Sequence, residues 1–297
     1  MNTSHQKTVI VVTGPTASGK TAVAIDIARR YQTEIISADS RQCFRELNIG
    51  VARPSEVELA TVPHHFIANH SIHDEVTAAS FEDYALRTAH DLFTRHDVIV
   101  MAGGTGLYIK AFCEGLDSIP AIPQEIRNNI VSQYEAMGMD WLSNEVRQKD
   151  PEFFRVGEIQ NPQRMMRALE VVEATGQSVL EFRSGKKVIR DFAIKKIGLD
   201  IPKEELHQRI NTRVDKMMEQ GLLEEVKGLL PYKELNALQT VGYKELFDFL
   251  DGKTTLERAV ELIKQNTRQY AKRQLTWFRR DKEIEWMSPE EGGNFEY

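Results

Sequence analysis

Thr8-Val9-Ile10-Val11-Val12-Thr13, followed directly by Gly14-Pro15-Thr16-Ala17-Ser18-Gly19-Lys20-Thr21, decides the fold. The first six residues are a continuous, largely β-branched run, as in a strand buried on both faces. The next eight match G-x-x-x-x-G-K-[ST]. From Thr21 to Tyr31 the apolar residues Val23, Ala24 and Ile27 recur at helical spacing. Strand, glycine loop and helix together predict a phosphate-binding P-loop. Its glycines let backbone N–H groups face an anion, and the helix N-terminus adds positive partial charge. Lys20 would reach phosphate oxygens and the Thr21 hydroxyl would hold Mg²⁺. The chemistry therefore involves a di- or triphosphate ester.

Outward from this loop, Glu34–Ser37, His65–Ile67 and Asp97–Ala102 read as further strands, with an amphipathic helix at Phe81–Arg95 and another starting near Leu107. Alternating strands and helices predict an α/β fold with a doubly wound parallel sheet. Asp117–Pro123 holds two prolines and reads as a linker. Beyond it the pattern is helical only, at Gln124–Met137, Asp140–Lys149, Pro162–Thr175 and Ser178–Phe182. A strand at Phe192–Leu199 resumes the core, followed by helices at Glu204–Gln220, Glu224–Leu230 and Thr255–Arg280. The tail from Pro289 is acidic and is expected to fray. The predicted organisation is a P-loop, nucleotide-kinase-like core (1–116 and 191–297) interrupted by a helical insertion (117–190).

The 297 residues carry a net charge of −6 and 41% hydrophobic residues, so a packed core is expected and a globally basic nucleic-acid binder is not. Cys43 and Cys113 form no metal-ligand spacing and no disulfide framework, which suits a reducing cytoplasm. No stretch reaches the ~18 apolar residues of a membrane span, and the N-terminal residues do not read as a signal peptide. The expectation is a cytoplasmic protein without a membrane partner, working as a monomer.

Several residues beyond the loop carry candidate chemistry. Asp39 follows the second strand, at the sheet edge where α/β proteins bind ligands. It reads equally as a general base and as a turn cap. The strand Asp97–Ala102 has no acid at its C-terminal end, where a motor ATPase or GTPase would place one; Gly103-Gly104-Thr105 stands there instead. Arg209 and Arg213 lie one helical turn apart and would close over a diphosphate. Lys264, Arg268 and Lys272 fall on one helix face with Arg273, Arg279, Arg280, Tyr270, Trp277 and Phe278 close by. Such a basic, aromatic stripe suits RNA, or equally a basic helix packed on its aromatic side.

GPTASGKT, SADSRQ, GGTGLYIKA, NPQRMMRALEV, VGYKE and RQYAKRQLTWFR, in this order from about Val9 to Trp286, resemble the tRNA dimethylallyltransferases. The resemblance implies that the phosphate ester is dimethylallyl diphosphate and that the acceptor is N6 of the adenosine just 3′ of the anticodon (position 37), in tRNAs reading codons that begin with U. It implies Mg²⁺ as cofactor and the tRNA anticodon stem-loop as partner. Asp39 would be the general base, Lys20 and Thr21 diphosphate and metal ligands, Arg213 the diphosphate arginine, and Thr105 a residue beside the reacting adenosine. It further implies tRNA contacts at Asp39, Ser40, Arg41 and Gln42; at Thr105 and Arg127; at Gln163, Arg164, Met165, Met166 and Arg167; at Gly242, Tyr243 and Lys244; and at Arg268, Lys272, Arg273 and Gln274. Cys43 and Phe44 stand where the family usually has an aliphatic residue and a tyrosine, so a hydroxyl is lost there. Arg53 stands in the family's GTAKP segment, here Gly50–Pro54. The chain lacks the C-terminal zinc-finger extension of eukaryotic members, which suits a bacterial type. A P-loop small-molecule or nucleotide kinase using ATP remains the alternative, since the loop, Asp39 and Arg213 would serve it as well.

Overall fold

The computed structural model describes residues 6–295, so the five N-terminal residues and the last two of the tail lie outside the described residues. The chain forms two compact units. One runs up to Glu114 and resumes at Ile189; the other is Gly115–Val188. The first unit begins with β1 (Thr8–Thr13), α1 (Lys20–Arg30), β2 (Ile35–Ser37), α2 (Glu56–Thr61), β3 (His64–His65), α3 (Ala78–Phe93), β4 (Val98–Gly103) and α4 (Gly106–Glu114). The second holds α5 (Gln124–Lys149), α6 (Pro151–Val156) and α7 (Pro162–Thr175). The first unit then continues with β5 (Ala193–Leu199), α8 (Lys203–Glu219), α9 (Leu222–Leu229), α10 (Tyr243–Leu250), α11 (Leu256–Phe278), β6 (Ile284–Met287) and α12 (Pro289–Gly293).

The six strands form one parallel sheet in the order β3-β2-β4-β1-β5-β6. Alternation along β1 divides the core. Val9 and Val11 face one cluster with Ile36, Ile99 and Met101, under α3, α4 and α11. Ile10 and Val12 face another with Ile35, Val100 and Ile197, under Val23, Ala24 and Ile27 of α1. All four β1 side chains are fully buried, and each contributes roughly 1.5–3 kcal/mol relative to exposure.

The register sets the site. Thr13 pairs with Gly103 and Ser37 with Ala102. Three strands therefore end level, and the loops opening at Gly14, Asp39 and Gly104 leave the same sheet edge. β1 and β4 are neighbours although β2 and β3 intervene in sequence, which makes a switch point of the kind where open α/β sheets bind ligands.

The structure departs from the sequence reading at several elements. β3 is His64–His65, one residue earlier than expected, because Phe66 and Ala68 take positive φ (63° and 50°) and end the strand. Ser178–Phe182 is a turn, not a helix: the Ser178 hydroxyl donates to Asp150 Oδ2 at 2.9 Å and its N–H to Glu181 Oε1 at 3.1 Å. The helical stretch Gln124–Lys149 breaks at Gly138 (φ 74°, ψ −162°), between the two helices that the sequence suggested. The tail does not fray through Phe295. Ser288 caps α12, and the Arg30 guanidinium donates to the Gly293 and Phe295 carbonyls at 2.9 and 3.0 Å. β6 and the helices α2, α6, α10 and α12 have no counterpart in the sequence reading.

A Cβ built on Gly103 would lie 2.2 Å from the Ala38 carbonyl oxygen, across the β2–β4 boundary. Backbone gives way poorly, so Gly103→Ala should cost about 2–3 kcal/mol of stability. A urea midpoint unchanged from wild type would contradict this account of the sheet edge.

Candidate functional site

The loop Gly14–Thr21 is held in shape by its own backbone and by two later helices. Gly14 and Gly19 take φ of 145° and 92°, values that a residue with a Cβ rarely adopts. Ala17 takes φ 65° despite its methyl group. It persists there because the methyl is buried in a small cluster with Ile201, with Leu206 and Ile210 of α8, and with Ala271 of α11. The Thr16 N–H donates to Gln274 Oε1 at 2.8 Å, and Arg213 Nη1 donates to the Thr16 hydroxyl at 3.3 Å. The Ser18 hydroxyl is buried without a hydrogen-bond partner among the described residues.

Lys20 Nζ donates to the Pro15 carbonyl at 2.7 Å. Desolvation, followed by the nearby Arg213 charge, pushes its pKa down to about 7, against the smaller upward pull of Asp39. Burial also lowers the pKa of Arg213 from its usual value, while a guanidinium remains a cation in proteins. The site concentrates positive charge that the protein itself only partly offsets.

Asp39 caps its turn and also faces the cleft. Its Oδ1 accepts N–H bonds from Arg41 and Gln42 at 2.8 and 3.2 Å, so it caps the turn. Oδ2 has no hydrogen bond among the described residues, and Asp39 lines the same cleft as Thr16, Lys20 and Thr21. The cleft has a volume of ≈1260 Å³; Arg209, Arg213, Tyr270 and the 48–59 segment complete its walls. Pockets for drug-sized ligands run to about 1,000 Å³, so this cleft has room for a diphosphate ester and a second group.

Thr105 stands behind this wall. Its Oγ1 accepts the Ser40 N–H at 3.0 Å and lies 3.3 Å from Ser40 Oγ. It therefore orients the Asp39–Ser40 turn. The Gln42 amide donates to the Val51 and Ala52 carbonyls at 3.2 and 2.9 Å, fixing the opposite wall. Cys43 and Phe44 are both buried in the core, where burial pushes the Cys43 thiol up to about 12. Phe44 itself therefore belongs to the interior and does not line the cleft.

Other expected contacts divide by exposure. Met165 and Met166 are buried in the core of the second unit, so this segment can offer a ligand only Gln163, Arg164 and Arg167. Arg167 and Arg127 share the buried Glu170 carboxylate, at 3.1 and 3.5 Å, and Arg164 pairs with Glu158. Gly242 and Tyr243 are also buried. The Tyr243 hydroxyl donates to Glu225 Oε1 at 2.6 Å, and the same carboxylate receives the N–H groups of Asn48, Ile49 and Gly50. Their neighbour Lys244 is exposed. On α11, Lys264 is paired with Asp215 and Arg268 donates to Asn211, while Lys272 and Arg273 are exposed. Gln274 is buried against the phosphate loop, at the wall of the cleft. Sequence reasoning missed the Glu225–Tyr243 clamp, because its partners lie on three separate segments and no spacing links them.

A diphosphate placed beside Lys20 restores an opposite charge and raises its pKa. Binding of inorganic diphosphate at pH 8 should therefore take up more protons in wild type than in Lys20→Arg, whose guanidinium is already charged. Calorimetric heats in buffers of different ionisation enthalpy measure this; equal uptake by the two proteins would refute the assignment.

A family model described as IPP transferase matches residues 42–281. The chain is 50% identical over 291 residues to a tRNA dimethylallyltransferase of Christiangramia forsetii, covering 97% of this chain and 96% of the relative. It is 46% identical over 284 residues to tRNA dimethylallyltransferase 1 of Bacteroides thetaiotaomicron, covering 96% and 92%. Among solved structures, the full-length tRNA isopentenylpyrophosphate transferase of Bacillus halodurans superposes with a TM-score of 0.70 at 34% identity, covering 96% of this chain and 90% of that one. A eukaryotic dimethylallyltransferase studied acting on tRNA gives 0.79 at 27% identity, covering 95% and 74%.

Proposed function

The chain belongs to the IPP transferase family, the tRNA dimethylallyltransferases, and we propose on that premise that it transfers the dimethylallyl group of dimethylallyl diphosphate to N6 of adenosine 37, beside the anticodon of tRNAs reading codons that begin with U. The observation that carries the reading is the single cleft in which Asp39 meets Lys20, Thr21 and Arg213. N6 attacks C1 of the dimethylallyl group, the C1–O bond breaks, and diphosphate leaves with the bonding electrons. The N6 proton passes to Asp39 Oδ2, the oxygen that the turn leaves unused. Lys20, Arg213 and the loop N–H groups stabilise the charge that develops on the leaving diphosphate. Thr105 and Ser40 hold the Asp39 turn in place.

Mg²⁺ fits the donor set: hydroxyl and carboxylate oxygens line the cleft at Thr21 and Asp39, and the Ser18 hydroxyl is buried unpartnered. Thr21 would hold the ion. Bound there, it supplies further positive charge to the diphosphate. All the groups proposed for the chemistry lie in one unit of one chain, so a monomer suffices. Among the described residues no helix is long and apolar enough to cross a membrane, in keeping with a cytoplasmic reaction on tRNA. The exposed cations Lys244, Lys272 and Arg273, with Arg127, Gln163, Arg164 and Arg167 in the second unit, are the proposed contacts to the anticodon stem-loop.

Label from radiolabelled dimethylallyl diphosphate should appear on adenosine 37 of unmodified tRNA, with Mg²⁺ and without ATP, and should be lost in Lys20→Ala. ATP consumption with a small hydroxyl acceptor and no label on tRNA would replace this reading by a kinase. Asp39→Asn preserves the turn acceptor and removes the base, so turnover should fall about 10²–10⁴-fold with tRNA affinity nearly unchanged. A full-rate Asp39→Asn enzyme would remove Asp39 from the chemistry. Arg127→Ala with Arg167→Ala should weaken tRNA binding and flatten its salt dependence by roughly one to two units of log–log slope. An unchanged slope would show that these arginines touch no phosphate.

A further inference from the structure

Gln274 lies on α11 between exposed Lys272 and Arg273 on one side and half-buried Trp277 on the other, yet its own side chain is buried. Its amide Oε1 accepts the Thr16 N–H at 2.8 Å, and its Nε2 donates to the Gly104 carbonyl at 2.9 Å. One side-chain end therefore joins the first turn of the phosphate loop to the loop that leaves β4. Gly104 admits this contact because it lacks a side chain: a Cβ there would stand 2.2 Å from Gln274 Nε2. Thr16 is held a second time, through its hydroxyl, by Arg213 of α8.

The polarity of the two bonds is specific. Thr16 presents a donor and Gly104 an acceptor, so the group between them needs an acceptor and a donor on one carbon. Among side chains of this length only the glutamine amide supplies both. Glutamate keeps the acceptor and loses the donor. Methionine matches the shape and loses both.

We propose that Gln274 is a positioning residue for the diphosphate: it fixes the Thr16 corner of the loop against the β4 turn, and so sets how the loop amides and Lys20 meet the leaving group. The proposal rests on the transferase reading for what the diphosphate carries, but not for the diphosphate site itself. Losing the amide leaves the Thr16 N–H without its partner and frees the corner of the loop, so the effect falls on diphosphate affinity and not on the acceptor.

The test uses the full chain and inorganic diphosphate as probe. Gln274→Met should weaken diphosphate binding about tenfold, and raise KM for dimethylallyl diphosphate similarly, while KM for tRNA stays within about twofold. Gln274→Glu should bind diphosphate still more weakly at pH 8, because it brings a negative charge to the loop. It should recover relative to wild type as the pH falls towards the carboxylate range. A generally damaged structure would not show that pH-dependent recovery. Should Gln274→Met fail to fold, Gln274→Glu, with the native length and acceptor, carries the same measurement. Diphosphate affinity equal to wild type, or a loss confined to KM for tRNA, would overturn the proposal. A wild-type protein that binds diphosphate but transfers no dimethylallyl group would remove the transferase reading, and the weaker diphosphate binding of the variants would still support the role of Gln274.

Discussion

The site depends on an ammonium group held where the protein gives it little compensation. Lys20 is desolvated beside the Arg213 guanidinium, and its pKa of about 7 records the balance, with Asp39 as a weaker counterweight. In water the two cations would repel weakly. In a partly closed cleft, where the effective dielectric is lower, the same separation matters more. An anionic leaving group relieves that repulsion and restores the Lys20 proton, so binding completes, around the Arg213 guanidinium already in place, the charge distribution that the departing diphosphate requires. The backbone contributes in the same sense. Ala17 is kept at a left-handed φ by burial of its methyl group among α8 and α11 side chains, which holds the loop open against a strain of order 1–3 kcal/mol.

Of those two helices α11 must come very close for this to work, and Gly104 and Gly106 permit it. Gly103 lies against the Ala38 carbonyl, Gly104 against the Gln274 amide, and Gly106 against the Trp277 ring, where a Cβ would come within 2.2 Å in each case. Gly103-Gly104-Thr105 stands where a motor ATPase or GTPase would carry an acid. In the structure Gly104 and Gly106 are the seat on which α11 docks, while Thr105 holds the Asp39 turn. The effect of this segment on chemistry passes through the positions of Gln274 and Asp39.

How much of this the sequence discloses follows from how local each feature is. β1, the loop and α1 are contiguous, and the buried β-branched run with G-x-x-x-x-G-K-T reports them directly. The break at Gly138 is legible for the same reason, because both flanking helical patterns are strong. β6 is four residues long, with Ile284 its one buried position, so its period is too brief to register. Exposure is the harder matter. Met165, Met166, Tyr243 and Gln274 sit in motifs that hold basic residues, and the resemblance carried by those motifs places them at an RNA surface. Helical rotation buries them while leaving Arg164, Lys244, Lys272 and Arg273 outside. A motif names the segment that matters; the packing decides which of its residues face out and which hold the segment in place.

This division also bears on how a chain with a net charge of −6 engages an RNA. Several cations of the basic stripe are already committed: Lys264 to Asp215, Arg268 to Asn211, and Arg279 to Asp200. They fix α11 and add little free charge. Beyond a Debye length of about 8 Å at physiological salt, the acidic remainder of the surface is largely screened, so local contacts and not the global field determine whether the RNA stays. With these three committed, α11 offers an RNA less free charge than its sequence suggests, which lowers the electrostatic share of affinity. On the transferase reading that restraint is useful. Selection of the substrate then rests on placing one base in the cleft beside Asp39, and a modified tRNA is not retained by the backbone charge that every tRNA shares.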